Sequence, residues 1–303
     1  MPDASLQSVI LNASAAFNVK FKGGQESANP DYKFFSTVIQ STAASTGYGF
    51  LGEFPMLKEW IGERQLAKLA DYDYVLKNRL YESSISVKRT DFEDNDYGKY
   101  APLFEEMGRQ GEEYPDEIVY GLLKNGHESL CYDGKPFFSV EHPAQSATMA
   151  SNYFDGVAEG DGTALTWFLL DTSRALKPFI WQERLKPAIE SVVSNGSVVD
   201  SHVFLQDQYF FGVRARGNAG FTLWQLASAS KRPLNAAAFN QAYDAMFAAK
   251  SDSGRPLRIR PNLLVVPPAY RQAAHELVQR EYLQNGESNP LYKIVDVLVS
   301  PWL

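Results

Sequence analysis

The chain has 303 residues, of which 45% are hydrophobic and 21% are charged, as in an average globular protein. This composition excludes wholesale disorder and a collagen-like repeat, and no apolar run approaches the roughly 20 residues that span a bilayer. With 29 basic and 36 acidic residues the net charge is -7, which opposes tight binding of a polyanion by the surface as a whole. Nucleic acid is therefore expected only as a weak neighbour.

Residues 1–46 are rich in Ser, Ala, Thr and Asn. Leu6, Ile10 and Phe17 recur at helical spacing, which predicts a weakly amphipathic helix over 5–19. Because this segment has little apolar surface, we expect it to lie as an arm on neighbouring subunits and not to be held by its own domain. No basic segment followed by an apolar one is visible here, so no secretion signal is expected.

Residues 47–92 contain two stretches, 72–79 and 84–88, in which polar and apolar side chains alternate. This two-residue period is typical of β-strands. No helix of convincing length accompanies them, and a hairpin of this size is marginally stable in water by itself. We therefore expect the hairpin to dock on a partner.

A long helix is predicted over 93–125, at the start of a unit that spans 93–165. The helix carries nine acidic residues, which give it a strongly negative face. Pro115 falls in its middle, where proline removes a backbone donor and clashes with the preceding turn. We therefore expect a kink or a break near Tyr114.

Residues 166–232 are rich in strand patterns. Asn195–Gly196 separates two β-branched runs, a strong indication of a tight hairpin turn. Arg214 and Arg216 alternate on one predicted strand and could meet phosphate. Carboxylates of the same chain or of a neighbour are the commoner partners of such arginines.

Residues 233–303 begin with a helix predicted over 234–250, with Phe239, Met246 and Phe247 on one apolar face. Asn235 is its expected N-cap. The chain then reads as strand, helix and strand, which is an α/β pattern. Together with the strand-rich middle, this predicts an α+β protein.

One alternative function rests on Cys131, Asp133 and His142, which could converge as the thiolate, the orienting carboxylate and the base of a cysteine hydrolase. The spacing matches no nucleophile motif, and a buried cysteine or a loop histidine is far commoner than a catalytic pair. His127 and Cys131 stand one helical turn apart, but a zinc site needs three or four ligands and no second pair follows. We therefore expect no catalytic site, no metal and no cofactor. The soluble cytoplasmic hydrolase using Cys131 and His142 stays as the alternative.

Five separated segments closely resemble the major head subunit of Mu-like transposable tailed phages. These segments are Gly47–Trp60, Asp91–Pro102, Cys131–Phe138, Leu176–Arg184 and Phe221–Ala227. The likeness runs in the same order along the chain and continues to Leu298–Leu303. Because several separated motifs agree, the resemblance is far more specific than any single one.

The resemblance implies the HK97-type capsid fold shared by tailed phages. Its parts would be an N-terminal arm (1–46), an extended E-loop hairpin (47–92), a spine helix and peripheral domain (93–165), a strand-rich peripheral or axial region (166–232) and an α/β axial-type domain (233–303). It also implies a structural major capsid protein that self-assembles into the icosahedral head enclosing double-stranded DNA.

The partners implied are other copies of the chain in hexameric and pentameric capsomers, a scaffold or protease during assembly, the portal and a decoration protein, with no membrane. The protein would assemble in the host cytoplasm and end in the virion capsid.

In the fold that this resemblance implies, the E-loop of one subunit lies over the spine helix of the next. The hairpin offers the basic residues Lys58, Arg64, Lys68, Lys77 and Arg79. The helix offers the acidic residues Glu105, Glu106, Glu112, Glu113, Asp116 and Glu117. A single exposed ion pair contributes only about 0–1 kcal/mol, so we expect several pairs around an aromatic anchor, Trp60 or Phe54.

Overall fold

The computed structural model describes residues 3–48, 74–143, 149–156, 165–191, 201–250 and 255–303. The helices are α1 (Asp3–Ser27), α2 (Tyr32–Phe35), α3 (Arg89–Glu93), α4 (Ala101–Lys124), α5 (Ser201–Gln206), α6 (Ala236–Phe247) and α7 (Arg271–Ala274). The strands are β1 (Ser36–Gln40), β2 (Ser45–Gly47), β3 (Val75–Lys77), β4 (Arg79–Lys88), β5 (Tyr153–Phe154), β6 (Trp167–Leu170), β7 (Phe179–Ser191), β8 (Gln208–Phe221), β9 (Ala227–Ser230), β10 (Leu263–Val266) and β11 (Asp296–Val299). Within these ranges, no helix has the length and apolar character needed to cross a membrane.

A four-stranded sheet has the strand order β1-β7-β8-β4. β4 and β7 are both antiparallel to β8, whereas β1 runs parallel to β7. Within the described part of the stretch predicted as strand over 72–79, β3 and the first residue of β4 are present. The stretch predicted over 84–88 lies inside β4 and belongs to this sheet. β2 and β3 form a separate two-stranded ribbon, and the chain between them joins its two strands. The predicted E-loop therefore spans fewer residues than 47–92, because β4 belongs to the four-stranded sheet. The predicted turn at Asn195–Gly196 lies outside the described residues.

α1 packs on α4 and on the four-stranded sheet. Its buried face includes Leu6, Ile10 and Phe17, and the Phe17 ring stacks on Phe104 with the ring centroids 4.1 Å apart. The predicted helix is therefore confirmed and is longer than 5–19. The expectation that neighbouring subunits hold this segment is wrong for α1, because its apolar stripe fills a core within its own subunit.

Glycines allow α1 and α4 to approach at backbone distance. A Cβ atom on Gly24 would stand 1.9 Å from the carbonyl oxygen of Glu105, and one on Gly108 would stand 2.0 Å from that of Phe21. Both distances are far inside van der Waals contact. Each helix therefore needs a residue without a side chain at the crossing.

Gly24→Ala should destabilise the subunit by about 1–3 kcal/mol, because the new methyl group meets the backbone of α4. Gly23→Ala is the matched control, since a Cβ at Gly23 meets nothing within 4 Å. Alanine favours a helix over glycine by roughly 1 kcal/mol, so the control should be neutral or stabilising. Urea unfolding of the two variants measures the difference, and equal midpoints would contradict the close crossing.

α4 runs without interruption through Pro115, so of the kink or break expected near Tyr114 the break does not occur. Pro115 is buried. The carbonyl that its ring faces, four positions earlier in the helix, belongs to Gly111. A proline in a helix interior costs about 3 kcal/mol, and burial of the helix against α1 and the sheet offsets that cost. α4 also begins later than predicted, because α3 and a 3-10 turn at Tyr97–Tyr100 precede it.

A five-stranded sheet has the order β11-β10-β6-β9-β5. β10 and β11 are parallel and are joined through α7, which confirms the predicted strand, helix and strand. α6 is capped as predicted, since the Asn235 side chain accepts a hydrogen bond from the Ala238 amide at 2.9 Å. Phe239 and Met246 are buried, but Phe247 is 55% exposed. Its predicted burial is wrong because it lies about 100° around the helix from Met246.

Candidate functional site

The acidic residues of α4 are the centre of the predicted assembly contact, and two of them bind the N-terminal segment of their own subunit. Glu105 lies 3.3 Å from Lys20 of α1, and Glu112 lies 2.6 Å from Lys33 of α2. Both pairs keep the carboxylates partly exposed. They connect α4 to the two helices that precede it in the chain.

Arg109 occupies the space between two further acidic residues of α4. Its guanidinium lies 2.5 Å from Glu106 and 2.8 Å from Glu113, one turn to each side. The hydrogen bonds from Arg109 lower the pKa of Glu106 below its ordinary value. Glu117 differs from these residues, because it is exposed and forms no ion pair with any residue that the structure describes.

Asp116 is the buried member of the acidic set. Its carboxylate accepts hydrogen bonds from the backbone amides of Asp31 at 3.0 Å and Tyr32 at 2.6 Å. Burial raises the pKa of Asp116 to about 6. Burial also raises the pKa of Asp31, although the Tyr120 hydroxyl donates to its carboxylate at 3.3 Å. Asp116 therefore fastens the start of α2 to α4 inside the subunit.

The raised pKa of Asp116 predicts how stability changes with pH. Between pH values of about 4 and 6 the folded subunit binds more protons at Asp116 than the unfolded chain does. Protonation of Asp116 therefore stabilises the folded state fully below about pH 4, and this contribution is lost as the pH rises through about 6. Relative to the Asp116→Asn variant, the wild-type chain should gain about 2 kcal/mol of unfolding free energy at pH 4.5 compared with pH 7. Urea unfolding at both pH values checks this, and a pH-independent difference between the two proteins would contradict it.

The basic and aromatic residues of the predicted contact divide into two groups. Lys77 and Arg79 are exposed at the base of the predicted E-loop. Burial raises the pKa of Tyr81, the Arg79 guanidinium acts to lower it and the Glu117 carboxylate acts to raise it, so both charges lie near the Tyr81 ring in one subunit. The remaining candidates, Phe54, Lys58, Trp60, Arg64 and Lys68, lie outside the described residues.

Cys131, Asp133 and His142 converge, but in an order that does not suit a nucleophile. The Cys131 thiol donates to Asp133 at 3.0 Å, and His142 Nδ1 lies 2.7 Å from the other oxygen of the same carboxylate. Asp133 therefore separates the thiol from the imidazole, whereas a catalytic pair needs them in contact. Burial raises the pKa of the Cys131 thiol, and Asp133 raises it further.

The Cys131 cluster has a structural role in the loop after α4. Burial alone would raise the pKa of Asp133, but hydrogen bonds from His142 and Cys131 hold it below its ordinary value. The His142 ring is fully buried and stacks on Trp224 with the centroids 4.1 Å apart. The three side chains place one potential ligand atom each within 4.8 Å of the others, and the thiol and the imidazole are each already hydrogen-bonded to Asp133. His127 stands apart from them, at the surface.

Asn152 is a buried side chain that the sequence pattern did not single out. Its amide donates to the carbonyl of Phe137 at 2.8 Å, and its oxygen accepts from the Ser139 amide at 2.9 Å. No local motif marks a residue whose partners lie in a distant loop. Arg214, by contrast, behaves as expected, since it lies 3.7 Å from Glu190 of the same chain.

Solved structures define the class of protein to which this fold belongs. The subunit in the procapsid of bacteriophage JBD30 superposes with a TM-score of 0.86 at 46% identity, covering 98% of this chain and 99% of that one. The bacteriophage JBD30 capsid gives a TM-score of 0.78 at 35% identity, over 91% of each chain. The fold is therefore the α+β, HK97-type fold of a phage shell subunit.

Sequence comparison gives the family. The chain is 37% identical over 290 residues to the major capsid protein of Escherichia phage Mu, covering 93% of this chain and 94% of the phage Mu protein. It is 39% identical over 271 residues to the Mu-like prophage FluMu major head subunit of Haemophilus influenzae, covering 88% and 87%. Residues 10–303 match the family described as Mu-like prophage major head subunit gpT. The chain belongs to this family of major capsid proteins, and nothing supports the hydrolase alternative.

Proposed function

We propose that the chain assembles with itself into hexameric and pentameric capsomers and that these close into an icosahedral head around double-stranded DNA. The observation that carries this proposal is the likeness to the JBD30 procapsid subunit over 98% of the chain. The net charge of -7 supports it, because a shell of acidic subunits would not bind packaged DNA tightly. Repetition of one contact around each closed ring would give the shell its cohesion.

The intersubunit contact that we propose places residues 49–73, the part of the predicted E-loop that lies between the paired strands β2 and β3, over α4 of the next subunit, with Trp60 or Phe54 as the anchor. Glu117 supports this contact most directly, because it is exposed and unpaired within the described chain. The side chains of Glu105 and Glu106 are each 51% exposed despite their internal partners, so they stay accessible to a second cation. Lys58, Arg64 and Lys68 would supply cations from the loop, with Lys77 and Arg79 at its base. Glu112 and Glu113 would contribute at the margin, and Asp116 would act within its own subunit.

Further partners follow from the same proposal. Capsids of bacteriophage JBD30 are decorated with minor capsid protein trimers, and we extend such decoration to the outer surface of this shell. A scaffold or protease would assist assembly in the host cytoplasm, and a portal would occupy one vertex. The chain would have no catalytic role and need no cofactor, which the buried, protonated thiol of Cys131 supports.

Particle size tests the proposed function against the hydrolase alternative. The chain, expressed with its neighbouring head-assembly genes, should sediment as capsomers and as shells far larger than a hexamer. A hydrolase would sediment as a small oligomer. Only small species, at concentrations that support assembly of related capsid proteins, would contradict the proposal.

A further inference from the structure

A groove opens between the start of α6 and the segment that follows α7. Leu234, Leu277 and Leu283 supply its apolar lining, and the exposed side chains of Glu276 and Arg280 line it as well. Its volume is about 470 Å³, which is within the usual range for a binding pocket. Arg280 is exposed and forms no ion pair among the residues that the structure describes.

One wall of the groove is a short hairpin that projects from the domain, residues 281–289. The Leu283 amide donates to the Glu287 carbonyl at 2.8 Å, and Gly286 takes the left-handed conformation that the turn requires, with φ at 81°. At its base, the Asn289 side chain donates to the carbonyls of Leu277 and Arg280, at 2.9 and 2.8 Å. These bonds fix the hairpin to the segment that follows α7, so the groove exists before anything fills it.

An exposed aromatic side chain, Phe247, lies at the opposite end of α6. It is 55% exposed, although its neighbour Met246 is buried. Asp244 lies one turn earlier on α6, and it too is exposed and without an ion pair in the described chain. Phe247 and Asp244 thus offer an apolar group beside a carboxylate, and the groove offers apolar walls beside Arg280.

The length of α6 separates the groove from Phe247. The helix has 12 residues and is therefore roughly 18 Å long, with Leu234 before its start and Phe247 at its end. Phe247 cannot reach the groove of its own subunit across that distance. A contact between Phe247 of one copy and the groove of another copy is head to tail. Such a contact closes into a ring when the rotation between copies allows it.

We propose that Phe247 of each subunit occupies this groove on the next subunit around the capsomer, with Asp244 facing Arg280. The inference rests on the proposed self-assembly and deepens it by naming a second contact, separate from the E-loop. A buried phenylalanine removes about 150–250 Å² from water, which suits an anchor at the centre of an interface. The opposite charges of Asp244 and Arg280 fix the orientation of the two copies.

Cysteine cross-linking tests the contact directly. The chain has one natural cysteine, Cys131, which is buried. Shells of the variant Ala248→Cys with Gln284→Cys keep Phe247 and the leucine lining, because Ala248 flanks Phe247, Gln284 lines the groove and both are exposed. After oxidation they should give a ladder of covalent species up to pentamers and hexamers on a non-reducing gel. Phe34→Cys with Gln284→Cys is the matched control, because Phe34 is also exposed, at 51%, but lies on α2. Shells that form without a ladder would overturn the contact while leaving the proposed function intact.

Charge reversal provides a second test that does not depend on cross-linking. Asp244→Arg or Arg280→Asp alone should lower the shell yield by about tenfold or more, and the two together should restore it. All three variants should keep the circular dichroism spectrum of the wild-type chain, because both side chains are exposed. Wild-type yield from both single variants would overturn the pairing. Absence of shells from the wild-type chain itself would instead contradict the proposed function.

Discussion

The isolated subunit should lose about 3–5 kcal/mol of its free energy of unfolding when Phe17 is replaced by alanine. Phe17 is 1% exposed, stacks on Phe104 and meets the edge of Phe211 with the centroids 5.4 Å apart. The substitution removes the ring that joins α1 to α4 and β8, and it leaves a cavity that rigid neighbours fill only in part. Chemical unfolding of the full-length chain measures the loss.

Val19→Ala is the control for Phe17→Ala, because Val19 lies on the same helix and is 71% exposed. Its effect should stay within about 0.5 kcal/mol. The comparison decides where α1 obtains its stability. If both variants unfold at the wild-type midpoint and only the shell yield of Phe17→Ala falls, neighbouring subunits hold the helix and the packing on α4 is wrong.

Trp60→Ala combined with Arg64→Glu should abolish shells and leave the subunit folded by circular dichroism. Removal of an aromatic anchor at the centre of an interface costs about 2 kcal/mol or more, and the carboxylate that replaces the Arg64 guanidinium would repel the acidic face of α4. Because every subunit repeats the contact around its ring, a loss at one interface is multiplied over the shell. Electron microscopy and sedimentation of the double variant check this.

Charge reversal on α4 distinguishes direct pairing from an indirect effect of the loop. Glu117→Arg is the informative partner for Arg64→Glu, since Glu117 is exposed and its reversal breaks no internal ion pair of the described chain. Glu113→Arg tests the same idea but also removes a partner of Arg109. Recovery of shells in Arg64→Glu with either reversal would support the contact. Normal shells from Trp60→Ala with Arg64→Glu would refute it.

Helices were predictable from sequence where their signals are local. The apolar spacing from Leu6 to Phe17 predicted α1, and Asn235 marked the start of α6. Both signals lie within a few residues of the element that they specify, and the apolar stripe was confirmed by burial. The extension of α1 to Ser27 was missed because Gly23 and Gly24 suggest a helix end unless the crossing with α4 is known.

Tertiary packing decided the features that sequence reasoning missed. Strand β4 was predicted, but its partner β8 follows more than 100 residues later, and no local pattern identifies such a pairing. Pro115 was expected to interrupt α4, since its local cost was visible and the burial that offsets it was not. Phe247 was grouped with Met246 on one face although neighbouring helix residues lie about 100° apart, and the packing of α6 buries Met246 and leaves Phe247 exposed.

The candidate site was partly predictable for the same reason. Acidic residues cluster in the sequence of α4, so its negative face was evident. Their internal partners, Lys20 and Lys33, come from helices about 80 residues earlier, and only the folded chain brings them together. Because the other exposed acidic residues of α4 have partners within the subunit, Glu117 is the one most available to another subunit.

A residue-resolution electron cryomicroscopy map of the particles formed by the full chain would show both the shell and the proposed interface. We expect closed shells whose subunits repeat in fives and sixes, with residues 49–73 of each subunit lying over α4 of the next. Failure to form closed shells under conditions that assemble related heads would contradict the proposed function. Closed shells in which residues 49–73 contact only their own subunit would contradict the proposed interface.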